Sequence, residues 1–220
     1  MKTGRSFSSP TSKATRNTFT QHTVTLLLLT GCAFLATGCA FSRTKVNVQF
    51  DPKISNPLGQ NATAQLTVGE IRDSRPVTDP LVLSQKYNGY GQRTSGAYVA
   101  QEPVADIFKQ GLQKVLDASG FTKSTQQRGL ELKANIQEFD HDVIVGFWKA
   151  TVKPKLTVRF ELLDKQTGGS VWRDTYVGRD SLETTWGTGE FLVQTFNRAA
   201  EDVVRQLIAD ASFRKFFVTN

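Results

Sequence analysis

Leu130-Glu131-Leu132-Lys133-Ala134-Asn135-Ile136-Gln137 alternates apolar and polar side chains without a break. A period of two is the mark of a β-strand with one dry and one wet face. The pattern returns downstream, where Val152, Leu156, Val158, Phe160 and Leu162 alternate with Lys153, Lys155, Thr157, Arg159 and Glu161. Strands that keep one polar face belong to an antiparallel sheet covered on one side only. Asp164-Lys165-Gln166-Thr167-Gly168-Gly169 reads as a hairpin turn into a third strand near Val171–Val177.

Working outward, Val104, Ile107, Phe108, Leu112, Val115 and Leu116 recur at three- and four-residue steps, with Pro103 at the first turn and Gly120 at the stop. That predicts an amphipathic helix whose stripe needs a sheet to cover it. A second helix is expected over about 190–211, with Leu192, Phe196, Ala199, Val203 and Leu207 on one face, and the aromatic tail Phe213–Phe217 is expected to dock on the core. Upstream, Val46-Asn47-Val48-Gln49-Phe50 and the segment Ala62–Arg72 read as two further strands, separated by turn chemistry at Asn56–Asn61. Asp73–Gln101, rich in Gly, Tyr, Ser and Pro, shows no period and reads as an unusually long loop. The order ββαβββα predicts an α+β fold: a two-layer sandwich with a mostly antiparallel sheet of about five strands and two helices on one face.

The front of the chain has a different character. Lys2, Arg5, Lys13 and Arg16 precede an apolar stretch from Val24 to Ala36, no acid occurs before Asp51, and Ala36-Thr37-Gly38 lead into Cys39. This is the layout of a secretory signal ending in a lipid-modified cysteine. Leu29-Thr30-Gly31-Cys32 competes, but cleavage there would leave only Val24–Leu29 as apolar core, short of the roughly 7 to 15 residues such a core needs. Val24–Ala36 is itself too short for the roughly 20 residues that span a bilayer. The expected organisation is therefore signal peptide over 1–38, lipidated Cys39 and tether over 39–45, and one periplasmic domain over 46–220. After cleavage no free cysteine would remain, and stability must come from packing.

The chain of 220 residues carries a formal charge of +7, but four of its 27 Lys and Arg lie in the signal, which leaves 23 against 20 acids, or +3. With no basic stripe and no nucleic-acid module, a nucleic-acid partner is not expected. Asp73-Ser74-Arg75-Pro76 is a candidate polar site at a strand end, although Asp at a turn and a paired Arg75 serve structure equally well. Asp140-His141-Asp142 holds the one histidine outside the signal. Strand neighbours point to opposite sides, and no second His or Cys is at hand, so the trio is expected to be solvated and no metal or cofactor is expected. Trp148, Trp172, Trp186 and Tyr176 suggest either an aromatic surface for glycan or lipid, or core and rim packing. Gly89-Tyr90-Gly91 lacks the third glycine and the flanking elements of a phosphate loop, and no catalytic nucleophile motif occurs, so no enzyme is expected.

Ala36-Thr37-Gly38-Cys39, the strand closing on Asp73-Ser74-Arg75, the helix around Phe108–Phe121 and the strand from Leu130 together resemble the YajG-type family of bacterial lipoproteins. The resemblance covers most of the mature chain and implies location and fold more than activity. The segment Pro76–Val99 is longer than the family pattern. In enteric-type sorting an Asp after the lipidated cysteine retains a protein at the inner membrane; here that position is Ala40, which implies the outer membrane. The expectation is thus a non-enzymatic lipoprotein facing the periplasm, joined to the membrane by its lipid, whose domain binds another envelope protein or lipid through the long loop or a sheet edge. The alternative, an auxiliary subunit of a lipid or small-molecule transport system, would need an apolar groove between sheet and helices. For a cell-wall hydrolase nothing in the sequence argues.

Overall fold

Alternating side chains decide the main sheet as expected. The computed structural model describes residues 41–53, 64–88, 90–121, 129–145, 148–180, 182–184 and 189–217, within the folded unit Ala40–Asn220. Cys32, Cys39, Trp186, Gly89 and the turn Asn56–Asn61 lie outside the described residues. In chain order the elements are β1 (Arg43–Lys45), β2 (Gln65–Asp73), β3 (Val82–Tyr87), β4 (Arg93–Val99), α1 (Val104–Ala118), β5 (Gly129–Val145), β6 (Ala150–Asp164), β7 (Ser170–Arg179), β8 (Leu182–Thr184), α2 (Gly189–Ala209) and α3 (Ala211–Arg214).

The five-stranded sheet runs β2-β5-β6-β7, with β8 pairing the far end of β6. Its β5–β6, β6–β7 and β6–β8 pairs are antiparallel, and β2, which reaches β5 by way of α1, lies parallel to it. β7 pairs β6 from Lys155 onward and β8 pairs it up to Val152, so the partner is interrupted at Lys153 and Pro154. Proline has no N–H to leave unpaired there, which is how it is tolerated inside a long strand.

The dry face of the sheet is Leu130, Leu132, Ala134, Ile136, Leu156, Val158, Phe160 and Leu162, and both long helices cover it with Val104, Phe108, Leu112, Phe196, Ala199 and Val203. Rings fill the space between the layers: Phe50 stacks on Phe108 with centroids 5.9 Å apart, and Phe139 meets Phe196 edge-on at 5.1 Å. α2 approaches β7 so closely that a Cβ on Gly178 would overlap the carbonyl oxygen of Ala199. The aromatic tail docks as expected, with Phe213 and Phe217 fully buried and packed on Phe121.

Three expectations need correction. The long loop Asp73–Gln101 holds β3 and β4, a hairpin that joins β1 in a second, three-stranded sheet ordered β1-β4-β3. Its strands carry Ser84 and Lys86 on buried positions, so no apolar period marks them; the Lys86 ammonium is satisfied by Ser42 Oγ at 3.1 Å and Thr44 Oγ1 at 2.7 Å. Val46–Phe50 buries Val46, Val48 and Phe50 in alternation but forms no ladder; the pairing lies one step earlier, at β1, inside the expected tether. Finally, β5 changes face part-way along. A bulge between Ile136 and Glu138 leaves Gln137 unopposed, and one extra residue swaps the inward and outward sets beyond it. Phe139 and His141 therefore point inward.

Candidate functional site

Arg75 closes β2 against β3. Its Nε and Nη2 donate to Asp73 Oδ1 and Oδ2 at 2.8 and 2.6 Å, its Nη1 to the Leu83 carbonyl at 2.9 Å, and its Nη2 also to the Val82 carbonyl at 3.0 Å. The residue is only 6% exposed. Every donor direction of the guanidinium used here ends on the protein itself, so the geometry of Asp73 and Arg75 is that of a clamp between two sheets.

His141 is buried, 6% exposed, where the sequence suggested a solvated trio. Its Nδ1 lies 3.0 Å from Ser84 Oγ and its ring sits 4.8 Å from that of Tyr87. Burial, then the Arg93 cation, push its pKa down to about 4, against a smaller upward pull from Asp142. Asp140 accepts from Tyr87 Oη at 3.0 Å and pairs with Arg93, while Asp142 is exposed. The imidazole is thus a neutral packing group. The signal that could have revealed this is Phe139, an apolar residue three positions after Ile136 where strict alternation demands two.

The aromatic set is split. Trp172 donates from Nε1 to Ser212 Oγ at 2.9 Å and packs on Phe213, and Tyr176 bonds Asp210, so both fasten β7 to the C-terminal segment. Burial, with the Asp210 bond, raises the Tyr176 pKa. Trp148 is exposed. Among the described residues no group of three His, Cys, Asp or Glu could hold a metal ion, and no helix is long and apolar enough to cross a membrane.

The arrangement with chemistry to offer is the wet face of the five-stranded sheet. A groove of about 380 Å³ is lined there by Glu70, Arg72, Lys133, Asn135, Arg159 and Arg173, together with Glu161 and Ala134. Register explains its charge. In one cross-strand row Lys133 opposes Glu161, and Glu161 opposes Arg173; the bulge in β2 adds Glu70 beside them. That row alternates in sign and neutralises itself, and the bond from Arg173 holds the Glu161 carboxyl below its ordinary value. In the adjacent row Arg72 opposes Asn135, which opposes Arg159, which opposes Thr175. That row carries two cations and no acid. Arg72 leans on Glu70 at 3.6 Å, and the Arg159 charge also acts on Glu161 in the neighbouring row. Asn135 stands between the two arginines in the row, and among the described residues its Oδ1 is buried without a hydrogen-bond partner, so it remains open as an acceptor. Two arginines two strands apart, roughly 10 Å between backbones, frame a place for an anionic group flanked by a hydroxyl or amine donor. Strand alternation exposes each of these residues in the sequence, but their convergence depends on register and on the β2 bulge.

A family model described as Uncharacterized lipoprotein matches residues 50–217 of this chain. Among solved structures, a Xanthomonas campestris protein aligns with a TM-score of 0.52 at 15% identity, over 75% of this chain and 92% of its own. A minor lipoprotein from Acinetobacter baumannii aligns with a TM-score of 0.39 at 18% identity, over 51% of this chain and 87% of its own. The first likeness is one of fold alone. No curated protein matches the chain.

Proposed function

Since the chain belongs to the family of lipoproteins whose model spans residues 50–217, we propose that it is a YajG-type, non-enzymatic binding module of the cell envelope. In this reading Cys39 carries the lipid, Ala40 directs the protein to the outer membrane, and the domain faces the periplasm. The observation that carries the binding role is the Arg72–Asn135–Arg159 row, which offers two cations and an unsatisfied acceptor on an otherwise self-neutralised sheet face. The partner it suits presents carboxylate or phosphate beside a hydroxyl or amine. The sheet–helix interface, filled by Phe50, Phe108, Phe160 and Phe196, gives the transport-subunit alternative no support. Nor does His141, a buried packing residue, support a hydrolase.

The test is photo-crosslinking in intact cells with a photoreactive amino acid at Thr175, which is exposed at the end of that row. A defined adduct is expected, lost in Arg72→Glu/Arg159→Glu while melting is unchanged. Absence of any adduct in cells that carry the protein, palmitate-labelled, in the outer-membrane fraction would sink the binding role. Equal envelope retention of Cys39→Ser would sink the anchor.

A further inference from the structure

Among the described residues four large apolar side chains stand out on the surface: Tyr90 at 90% exposed, Trp148 at 81%, Phe41 at 59% and Ile144 at 53%. Strand register brings them to one end of the domain. Ser84 of β3 meets His141 of β5, and in the turn beyond the end of β3 a Cβ on Gly91 would lie 3.7 Å from the carbonyl of Val143, two residues further along β5. β3 and β5 therefore run in the same direction, and Tyr90 leaves its hairpin where Ile144 and Trp148 stand at theirs. Gly91, at φ +74°, supplies the left-handed residue that this turn requires.

The fourth residue joins them through β1. β1 lies parallel to β4, with Arg43 opposite Ala97 and Lys45 opposite Val99. Because β4 begins at Arg93, beside the β3–β4 turn, β1 followed backward heads for that same turn. Lys86 confirms the level: its ammonium reaches Ser42 Oγ at 3.1 Å, and the next β3 residue, Tyr87, opposes Arg93. In the sequence Cys39 stands two residues before Phe41.

The geometry points to a membrane-apposed end: Tyr90, Ile144 and Trp148, with Phe41, seat in the interfacial layer of the bilayer into which the acyl chains on Cys39 insert. This rests on the anchor assignment made above and adds an orientation to it. The occupant is lipid because the chain leaves the domain for its anchor at this end. The side chains also suit it, since Tyr and Trp rings settle where hydrocarbon gives way to headgroups. The acyl chains supply retention, and the side chains fix tilt. Because β5 reaches this end only with its last residues, the Arg72–Asn135–Arg159 row, nine residues back along the strand from Ile144, is held roughly 30 Å off the bilayer.

The mature chain keeps Cys39 as its one cysteine, with the thiol consumed by lipid, so an introduced cysteine takes a nitroxide label uniquely. Gln92→Cys, Lys149→Cys and the control Thr175→Cys are labelled in the full lipidated protein, reconstituted in vesicles of phosphatidylethanolamine and phosphatidylglycerol. At positions 92 and 149, accessibility to a water-soluble paramagnetic reagent should fall several-fold relative to 175. Adding Tyr90→Ser and Trp148→Ser should restore it while the vesicles still float the protein. Equal water exposure at all three positions in floating protein overturns the orientation and leaves the anchor standing. Protection found in native envelopes but not in these vesicles assigns the end to a protein partner and overturns it too. An unacylated intact mass removes the anchor, and this inference with it.

Discussion

Replacing Arg75 with methionine should remove the clamp between the two sheets without emptying its volume. The guanidinium makes two bonds to the Asp73 carboxylate and one each to the Leu83 and Val82 carbonyls. Hydrogen bonds to charged groups contribute about 1.5–3 kcal/mol each, but they do not add, and the desolvation of both ions is regained when the pair is gone. The better guide is the cost of breaking one buried pair, about 3–5 kcal/mol, because the Asp73 carboxylate is left largely dry with its countercharge gone and the residue-75 backbone N–H, at 3.1 Å, still donating to it. Against a typical domain stability of about 5–15 kcal/mol, that is a large fraction. Urea unfolding at neutral pH, followed by circular dichroism, should show the midpoint falling with an unchanged slope. Asp73→Asn/Arg75→Met should recover part of the loss, since the stranded charge is gone. If Arg75→Met cost less than about 1 kcal/mol while abolishing the photo-crosslink, Asp73 and Arg75 would be a binding site after all, and the clamp would be wrong.

A pH effect follows from His141. Its pKa is about 4 when folded against an ordinary 6.5, so the unfolded chain takes up this proton first, and stability drains as pH falls from 6.5 toward 4; the loss is about 2 kcal/mol by pH 5 and about 3 by pH 4. The depressed carboxylates of Glu138 and Asp210 act below their ordinary 4.5 and 3.8, so denaturation at pH 7 and 5 isolates the histidine, and His141→Gln should flatten that slope. Gly178→Ala should cost about 3 kcal/mol or more, since the new methyl meets the Ala199 backbone, which has no rotamer to yield; normal melting would contradict the β7–α2 packing. Asp210 accepts from Ser212 N at 2.6 Å and from Tyr176, so Asp210→Ala should lower stability by about 1–2 kcal/mol, and Tyr176→Phe should lose part of the same amount in thermal melts.

The main sheet was legible because its strands obey one rule, polar out and apolar in, over long runs. The second sheet was not, because β3 and β4 bury Ser84, Lys86 and small residues whose partners, Ser42, Thr44 and His141, come from distant stretches of chain. Asn88 at the start of the turn and Gly91 at its end are hairpin chemistry, yet with no apolar alternation flanking them they looked like loop. The Arg72–Asn135–Arg159 row was invisible for a different reason. Each residue falls on a polar position of its strand, but which charges sit side by side is decided by register, and two bulges set that register. Asp73 and Arg75 stood out as a local pair; that the Arg75 side chain also grips β3 could not be read from two neighbours.

The extra residue in β5 has a consequence for how this chain tolerates change. Gln137 is exposed and faces no partner across the ladder, so almost any side chain could occupy its place at little cost. Deleting it is another matter: Phe139 and His141 would turn to water, Glu138 and Asp140 would turn to the interior, and the hairpin that leans on them would lose its footing. Gln137 matters for being counted, and variation there should show free substitution and no gaps.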